Sequence, residues 1–463
     1  MSSTPQVQYS ITVRLEAPAR PTTVSEMTQL IEQSGGLVTA LDVNLSDSDR
    51  VRIDVTCACR NSDHAEEIVE RLKSVEDVVV GKVSDRTFLA HLGGKLTIES
   101  KLPIRNRDDL SLIYTPGVAR ISEAIAKDPS DARRLTIKRN TIAVVTDGSA
   151  VLGLGNIGPL AALPVMEGKA ALFKRFADID AFPICLDTQD VDEIVRTVKH
   201  IAPVFAGINL EDISAPRCFE VEARLRAELD IPVFHDDQHG TAIVVLAALG
   251  NALKVVGKKL GDIKLVMSGA GAAGTAVLKL LIAAGLKNVT VADQRGIIFE
   301  GRADIAPGSS LEWISQNTNG SKQEGTLKDA IRGADAFIGV SASNLLNEDD
   351  IAAMADKSIV FALANPNPEI EPALAAKHAA VVATGRSDFP NQINNVLAFP
   401  GFFRGLLDAN ATVISEEMLL AAAKALQGCV DASELNASYI IPSVFHADVT
   451  QRVAEAVKKV AKG

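Results

Sequence analysis

Apolar and polar residues alternate with a period of two in four segments near the start of the chain. This pattern is typical of half-buried strands, and it covers residues 7–15, 37–45, 51–59 and 78–83. Two segments with helical spacing, 24–33 and 65–74, lie between them. The order predicts a ferredoxin-like βαββαβ domain over residues 1–87.

The predicted order resembles the ACT domain, a small regulatory domain that binds small ligands. Such domains often carry a glycine soon after the proline of the first turn, where an effector amino acid approaches the backbone. The turn here reads Ala19-Arg20-Pro21-Thr22-Thr23 and has no such glycine. The resemblance therefore leaves two roles open: a site for a small-molecule effector, or a dimerisation module.

Short apolar runs alternate with helical patterns beyond a charged connector at 88–107, which contains Gly93-Gly94. The runs occupy residues 142–145, 183–186, 204–208, 232–234, 264–267, 289–292, 336–340 and 360–363. Runs of this kind are typical of buried parallel strands in an α/β fold. We expect one α/β domain over residues 98–240 and another, ending in helices, over 241–463.

The net charge and the positions of the cysteines restrict the partners and metal sites that we expect for the chain. The 463 residues include 47 Lys and Arg against 58 Asp and Glu, a formal net charge of -11 at pH 7. Such a chain has no bulk attraction for phosphate backbones or anionic lipids, so neither nucleic acid nor membrane is an expected partner. The N-terminus has no secretory pattern, and the apolar stretch 241–256 is too short to span a bilayer. We expect a cytoplasmic protein whose Cys57 and Cys59 are packed thiols rather than zinc ligands.

Two glycine strings compete for the role of a phosphate-binding turn. The first, Gly153-Leu154-Gly155-Asn156-Ile157-Gly158, is followed by Pro159 and Pro164, so we expect no long helix after it. The second, Gly269-Ala270-Gly271-Ala272-Ala273-Gly274, follows an apolar strand and opens a helical pattern from 275 to 284. Strand, glycines and helix in this order predict a Rossmann-type dinucleotide site over residues 241–463.

An acid and a base follow the next predicted strand. Asp293 lies 24 residues after Gly269 (293 − 269), close to the ~20 expected of the acid that holds the adenosine ribose diol. Arg295 could instead pair with the 2′-phosphate of NADP. The sequence favours NAD and leaves NADP open.

Paired acids follow two other predicted strands. Glu211-Asp212 and Asp236-Asp237 each come where a strand should end, and the carboxyl ends of parallel strands meet at one edge of a sheet. Converging carboxylates would repel one another without a cation, and oxygen ligands suit Mg²⁺ or Mn²⁺. Adjacent acids at a strand end can equally be solvated loop residues or helix caps. His235 and His239 flank the second pair, where packing or support of the acids is the expected role.

Several motifs in order resemble the bacterial malic enzymes over roughly residues 109–402. They are Tyr114-Thr115-Pro116-Gly117-Val118-Ala119, Thr146-Asp147-Gly148, Gly153-Leu154-Gly155-Asn156, Pro164-Val165-Met166-Glu167-Gly168-Lys169, Asn209-Leu210-Glu211-Asp212, Phe234-His235-Asp236-Asp237-Gln238-His239-Gly240-Thr241, Phe361-Ala362-Leu363-Ala364-Asn365-Pro366 and Asn391-Gln392-Ile393-Asn394-Asn395-Val396. The resemblance implies an NAD(P)-dependent oxidoreductase that decarboxylates malate to pyruvate, with the malic enzyme catalytic domain over residues 98–240. A homodimer or higher homo-oligomer is also implied.

The same resemblance implies a role for each matching residue. Glu211, Asp212 and Asp237 would hold Mg²⁺ or Mn²⁺. Lys169 would be the general base, Tyr114 the proton donor, and Asp236 the residue that orients the lysine. Asn365 and Asn395 would contact malate and the nicotinamide end, with Asn394 beside them. As a base near neutrality, Lys169 needs its pKa about 3 units below the usual ~10.4, and we expect the divalent charge and partial burial to lower it against Asp236.

One stretch departs from the larger eukaryotic members. An arginine that clamps a malate carboxylate in those enzymes is absent, and Ser149-Ala150 occupy that stretch as in the shorter bacterial forms. Carboxylate recognition would then come from the metal, the asparagines and backbone amides. Two other functions stay open: a lyase of the malolactic or oxaloacetate-decarboxylase type with bound NAD, and a non-enzymatic module that senses a nucleotide or amino acid.

Overall fold

The computed structural model describes residues 6–45 and 49–462. It contains two compact units, residues 1–97 and 98–463. Each unit is described by itself below.

The first unit is a four-stranded antiparallel sheet with helices on one face. Its elements are β1 (Gln6–Pro18), α1 (Thr23–Gln33), β2 (Leu37–Leu45), β3 (Arg50–Cys59), α2 (Ser62–Lys73), β4 (Val79–Asp85) and α3 (Arg86–His91). The strand order is β2-β3-β1-β4. The predicted βαββαβ order is therefore confirmed, and the connector after it begins as the short helix α3.

The two faces of this sheet differ as the alternation predicts. Odd-numbered residues of β1 and β3 face the helices and are buried, including Val13, Val55 and the free thiol of Cys57. The other face is polar, with Arg14 donating two hydrogen bonds to the Asp54 carboxylate across the strand pair at 2.8 and 2.7 Å. One buried face is enough to set the register, because a one-residue slip would turn these charges inward.

The second unit contains all the motifs that predict chemistry. Its helices are α4 (Arg107–Ile113), α5 (Gly117–Lys127), α6 (Asp131–Leu135), α7 (Pro159–Ala177), α8 (Val191–Ile201), α9 (Arg217–Glu228), α10 (Thr241–Val256), α11 (Ala272–Ala283), α12 (Ser310–Asn317), α13 (Leu327–Ile331), α14 (Glu348–Ala352), α15 (Pro372–Ala375), α16 (Phe399–Ala409), α17 (Glu416–Gln427) and α18 (Val449–Ala461). Its strands are β5 (Thr141–Thr146), β6 (Asp180–Cys185), β7 (Gly207–Leu210), β8 (Val233–His235), β9 (Lys264–Ser268), β10 (Asn288–Asp293), β11 (Gly296–Ile297), β12 (Ala336–Gly339), β13 (Ile359–Ala362) and β14 (Val381–Thr384).

Two mainly parallel sheets form this unit. One has the order β6-β5-β7-β8, and the other has the order β11-β10-β9-β12-β13-β14. Every strand pair is parallel except β10 with the two-residue β11. The predicted buried parallel strands are confirmed, whereas the two-residue β11 and the four-residue β14 were not anticipated.

One apolar core joins the two sheets. It extends from Ile142 and Val144 of β5 through α10 to Leu265 and Met267 of β9. With the turn before it, α10 forms a helical run at 236–256 that is long and apolar enough to cross a membrane by length and composition, and 67% of its most apolar 18-residue stretch is buried inside the protein. Its apolar surface is therefore accounted for by packing between the sheets.

The helix after the first glycine string contradicts the sequence expectation. Helix α7 begins at Pro159 and continues for 19 residues through Pro164. Proline is tolerated at the first helical position because its missing N–H would have no partner there. Interior Pro164 removes one backbone hydrogen bond, a cost of ~3 kcal/mol that tertiary packing must offset. Buried Met166 and Phe173 on the same helix supply such packing.

Candidate active site

The acids predicted at two strand ends leave the sheet side by side. Strands β7 and β8 are parallel neighbours, and Leu210 pairs with His235 in their register. Glu211 therefore follows β7 at the same level at which Asp236 follows β8. A π-helical turn, Asp236–Gly240, then carries Asp237 back towards β7.

Three carboxylates meet at this edge. One oxygen each from Glu211, Asp212 and Asp237 lies within 4.8 Å of the other two. The Asp212 N–H also donates a hydrogen bond to Asp237 Oδ2 at 3.0 Å. Asp212 has a φ of 54°, a left-handed conformation that costs energy for a residue other than glycine. The backbone is thus held in a strained turn that aims these oxygens at one point.

The ionisation of this cluster is opposed by its surroundings. Burial, together with repulsion by Asp237, raises the pKa of Asp212 to about 7. Burial also raises the pKa of Glu211 well above its ordinary value, despite the attraction of Lys169. Asp212 Oδ2 is buried and has no hydrogen-bond partner among the residues that the structure describes. These buried carboxylates offer oxygen ligands, and a positive charge would stabilise their ionised forms. Both properties suit a hard divalent cation.

Lys169 of α7 lies against the same cluster. Its Nζ is 2.6 Å from Asp236 Oδ2 and 2.9 Å from Glu211 Oε1, and its side chain is 10% exposed. The Phe399 ring covers it, with the ring centre 4.3 Å from Nζ. Burial would lower the pKa of Lys169, but Asp236 and Glu211 together raise it above its ordinary value. The shift expected for a general base is therefore not produced by the protein groups alone.

An aromatic cluster fixes the helix that carries this lysine. Phe173, one turn further along α7, packs against Phe399 and Phe403 of α16, with ring centres 4.6 and 5.2 Å apart. Phe234 of β8 packs against Phe403 at 5.5 Å. The lysine and the acids after β8 are therefore held by one block of rings.

The three asparagines make different contacts. Asn395 Nδ2 donates to Asp236 Oδ2 at 3.1 Å, and Thr241 donates to Asn395 Oδ1 at 3.2 Å. Asn394 instead caps the short turn that follows it, with Oδ1 accepting from the Val396 N–H at 3.0 Å. Asn365 lies beside the first glycine string, since a Cβ placed on Gly153 would be 2.5 Å from the Asn365 carbonyl oxygen. The loop that leads into that string approaches the acids, because the Ala150 N–H donates to the Asp212 carbonyl at 3.0 Å.

Tyr114 is not held in this cluster by a side-chain hydrogen bond. It lies at the end of α4, is 68% exposed, and its phenol has no hydrogen-bond partner among the described residues. Its role as proton donor stays a prediction from the resemblance.

The second glycine string forms the tight strand-to-helix turn that a dinucleotide site needs. Gly269 has a φ of 111°, and a Cβ on Gly274 would lie 2.1 Å from the Gly269 carbonyl oxygen. Only glycine permits both features. Helix α11 starts inside the string at Ala272, and Asp293 ends the neighbouring strand β10. The turn, the helix N-terminus and the acid therefore lie at one sheet edge.

Comparison with known proteins agrees with this arrangement. Family models of the malic enzyme N-terminal domain and the malic enzyme NAD binding domain match residues 93–226 and 238–462. The NAD-dependent malic enzyme of Geobacillus stearothermophilus is 56% identical over 98% of this chain and 94% of its own length. The chain belongs to the malic enzyme family.

Two further malic enzymes extend the comparison. The bifunctional malic/malolactic enzyme of Bacillus subtilis is 55% identical over 80% of this chain and 90% of its own length. The crystal structure of the NAD-dependent malic enzyme of Thermotoga maritima superposes with a TM-score of 0.78 at 48% identity, covering 81% of this chain and 99% of that one. The predicted malic enzyme fold, the Rossmann-type NAD-binding domain and the class of decarboxylating oxidoreductase are confirmed. The division of the second unit near residue 240 and the ACT-like character of the first stay predictions.

Sequence reasoning missed a buried carboxylate behind the metal turn. Glu222 of α9 accepts hydrogen bonds from His239 at 2.7 Å and Gln238 at 3.0 Å, and pairs with Arg226 at 3.0 Å. Burial would raise the pKa of Glu222, but His239 and Arg226 lower it to about 2. Glu222 thus ties the π-helical turn of this malic enzyme to α9. Nothing in the local sequence marks this role, because its two partners on the π-helical turn lie 16 and 17 residues away.

Proposed function

We propose that the chain catalyses the divalent-metal-dependent oxidative decarboxylation of (S)-malate to pyruvate and CO₂ with reduction of NAD. The observation that supports it best is the buried ammonium of Lys169 placed between Asp236 and a member of the three-carboxylate cluster. This arrangement brings a proton-transfer group and a cation site to one point. The membership of the malic enzyme family, and the names of its relatives, supply the substrate.

Glu211, Asp212 and Asp237 are the proposed ligands of Mg²⁺ or Mn²⁺. Their fit rests on three converging oxygens, on the unpartnered Asp212 Oδ2, and on raised pKa values that a nearby positive charge would lower. A bound cation would supply Lewis-acid stabilisation of the negative charge that develops on malate, and bound NAD would supply the hydride acceptor.

The side chains move the protons in this proposal. Lys169 accepts the C2 hydroxyl proton at Nζ, and Asp236 holds the ammonium in position. The C3–C4 bond then breaks, and Tyr114 gives its phenolic proton to C3, which yields pyruvate. Asn365 and Asn395 orient malate and the nicotinamide end, and the glycine string 153–158 closes the substrate side of the pocket.

The direct test uses purified protein with Mn²⁺, NAD and malate, following nicotinamide absorbance and pyruvate together. We expect both products in equal amounts, and we expect Glu211→Gln and Asp237→Asn to abolish both. Asp192→Asn, a change at an exposed ion pair with Arg224 on α8 and α9, is the matched control and should leave activity unchanged. Full activity in the Glu211 and Asp237 variants would refute the site.

A lyase reaction is the second candidate, and the name of the bifunctional Bacillus subtilis relative favours testing it. Malate would then give lactate with no net reduction of NAD. Lactate and pyruvate measured in the same assay distinguish the two, and oxaloacetate offered without NAD tests simple decarboxylation. We propose the oxidative reaction as the main one.

A homodimer accounts for an apolar surface that the second unit leaves open. Helices α4, α5 and α6 contain no buried residue, and Leu112 of α4 is 76% exposed. Leu160 at the start of α7 is 86% exposed. We expect light scattering to give the mass of a dimer or a higher oligomer, and Leu112→Asp to lower it. Tyr114 lies on the same segment, so its proposed role can depend on this assembly.

The first unit keeps the two roles that its sequence leaves open. A groove of about 380 Å³ between α2 and strands β1 and β4 is lined by residues including Tyr9, Ala65 and Val69. A small effector that bound there would raise the unfolding temperature of the full chain. An amino-acid panel tested by thermal shift separates effector binding from a purely structural role. We expect the protein to act in the cytoplasm on small molecules.

A further inference from the structure

A buried carboxylate lies behind the turns that follow β12 and β13. Glu369 is fully buried, and among the residues that the structure describes no basic side chain forms an ion pair with it. Its partners are backbone groups instead. Oε1 accepts a hydrogen bond from the Ser341 N–H at 3.0 Å, and Oε2 accepts one from the Ala364 N–H at 3.1 Å. No step of the proposed reaction uses this acid.

The two turns leave neighbouring strands at the same level. Gly339 of β12 pairs with Ala362 of β13 in parallel register, so Ser341 and Ala364 each lie two residues beyond a paired position. The carboxylate of Glu369 bridges their two N–H groups, with one oxygen to each. A Cβ placed on Gly339 would overlap the carboxyl carbon of Glu369, so the end of β12 has room for this side chain only as glycine.

The backbone beside the acid makes the same connection. The Asn344 N–H donates to the Pro368 carbonyl, and the Leu346 N–H donates to the Glu369 carbonyl, both at 3.0 Å. Residues 368–369 follow closely after Asn365 along the chain. The segment that carries Asn365 is therefore tied to the turn after β12 through both backbone and side chain.

These turns lie on the nicotinamide side of the dinucleotide site. In the order β10-β9-β12-β13 the strand sequence reverses between β9 and β12, and a dinucleotide binds across such a point. Asp293 places the adenosine half over β10, which leaves the nicotinamide half to β12 and β13. Residues 341–344 and 365–367 are exposed, whereas 368–370 are buried. The acid thus holds from behind two turns whose open faces line the crevice.

The turn after β12 also contacts the glycine turn that receives the diphosphate. The Ser341 and Ser268 hydroxyls are hydrogen-bonded at 2.7 Å, and a Cβ on Gly269 would lie 2.8 Å from the Val340 carbonyl oxygen. This side of the turn is therefore fixed without Glu369. The side that faces β13 depends on the acid.

Keeping a carboxyl group at this place opposes its ionisation. Burial raises the pKa of Glu369 against the hydrogen bonds from the Ser341 and Ala364 N–H groups. An apolar side chain of similar size would avoid this cost, but it would leave both N–H groups without their partner. The acid is therefore best explained by the two turns that it joins.

We propose that Glu369 positions the nicotinamide half of the bound cofactor by tying the turns after β12 and β13 to each other. It is a positioning residue, because it lies behind both turns and acts through them. The inference rests on the proposed function for its reaction, although nucleotide binding tests it alone. Loosening the two turns should affect the nicotinamide half and spare the adenosine half.

The experiment compares NADH with ADP, which has the diphosphate and the adenosine but no nicotinamide. Calorimetric titration measures both dissociation constants without metal or malate. Glu369→Gln keeps the volume but replaces one accepting oxygen with an NH₂ group, so one backbone N–H loses its partner. A hydrogen bond to a charged acceptor corresponds to about 10- to 100-fold in an equilibrium constant, and part of this loss falls on the free protein. We expect NADH to bind about 5- to 30-fold more weakly and ADP to stay within about twofold.

Asp335→Asn is the matched control on the same sheet. Asp335 accepts a hydrogen bond from the Lys264 N–H at 2.8 Å, but it does so where β9 begins, at the edge opposite the cofactor. The variant should leave the ratio of NADH to ADP affinity unchanged. Malate deuterated at C2 adds a kinetic measurement: Glu369→Gln should increase the isotope effect on kcat, because a displaced ring slows hydride transfer.

Equal weakening of NADH and ADP in Glu369→Gln would indicate a general structural role and overturn the proposal. Unchanged NADH binding, or the same selective loss in Asp335→Asn, would also overturn it. If Glu369→Gln does not fold, amide hydrogen exchange of the wild type decides: the Ser341 and Ala364 amides should gain protection with NADH but not with ADP, and equal protection would contradict the role. Selective loss of NADH binding in a protein that does not oxidise malate would contradict the proposed reaction and leave the role of Glu369 standing.

Discussion

Binding of Mn²⁺ should depend steeply on pH, because the metal requires carboxylates whose ionisation the fold opposes. The pKa of Asp212 is raised to about 7 by burial and by Asp237. Only the ionised form binds a divalent cation strongly, so the apparent affinity follows the ionised fraction. Affinity therefore rises with pH through about 7 and levels off above it.

The magnitude follows from that pKa. A group with a pKa near 7 is about nine-tenths ionised at pH 8 and about one-tenth ionised at pH 6, so Asp212 alone weakens Mn²⁺ about tenfold between the two. Glu211, whose pKa is also raised by burial, makes the decline steeper. Burial of both groups keeps these effects from being screened by salt.

Calorimetric titration with Mn²⁺ at pH 6, 7 and 8, in two buffers of different ionisation enthalpy, measures affinity and released protons together. Asp212→Asn should bind Mn²⁺ more weakly at pH 8 and show a shallower pH dependence. Asp192→Asn, exposed on α8, should behave as wild type. An affinity that changes less than about twofold from pH 6 to 8, without proton release, would refute the reasoning.

Three further changes test other parts of the molecule. Lys169→Arg should reduce turnover by about 10²- to 10⁴-fold while Mn²⁺ binding persists, and a pH–rate profile matching wild type would contradict its role as base. Glu222→Gln should make the free energy of unfolding depend less on pH in acid. The pKa of Glu222 is lowered to about 2, so its stabilisation is present above the unfolded value near 4.3 and is lost as pH falls towards 2. Urea titrations should show that this contribution, about 3 kcal/mol, is missing in the variant. Gly274→Ala should lower the free energy of unfolding by about 1–3 kcal/mol and weaken NADH binding, since its Cβ would lie 2.1 Å from the Gly269 carbonyl oxygen. In the control Gly261→Ala, the nearest atom to the new Cβ lies at an ordinary 3.5 Å, so neither stability nor NADH binding should change.

Much of the fold could be predicted because its signals are local. Alternation marked the strands of the first unit, and short apolar runs marked the buried parallel strands of the second. The acids after β7 and β8 could be placed at one edge because parallel strands end together. The approach of Glu211 to Asp237 then follows from the pairing of Leu210 with His235.

What sequence reasoning missed depends on contacts made at a distance. Pro159 and Pro164 predict no long helix, yet α7 begins at Pro159 and continues through Pro164, because Met166 and Phe173 bury its apolar face. The ion pair of Arg302 with Asp293, nine residues earlier, was also missed, because it belongs to none of the motifs that the sequence analysis uses. Glu222 was missed for the same reason. In each case the structure depends on a tertiary contact that the local sequence pattern does not reveal.

Negative charge at the centre of the site raises the pKa of both Asp212 and Lys169, and this shared influence links metal binding to the lysine. Glu211, Asp212, Asp236 and Asp237 face a single ammonium, a formal excess of three negative charges. Burial and this excess together raise the pKa of Asp212 to about 7, and the excess raises the pKa of Lys169 against the effect of burial. The raised pKa of Asp212 weakens its binding of a cation, and the raised pKa of Lys169 leaves less of the neutral amine that acts as a base. A doubly positive charge among the carboxylates would lower the pKa of both Asp212 and Lys169, and it would compete with Lys169 for Glu211, whose Oε1 lies 2.9 Å from Nζ. The lysine should therefore become a base only when the carboxylates hold their cation, so proton transfer is coupled to metal binding through Glu211.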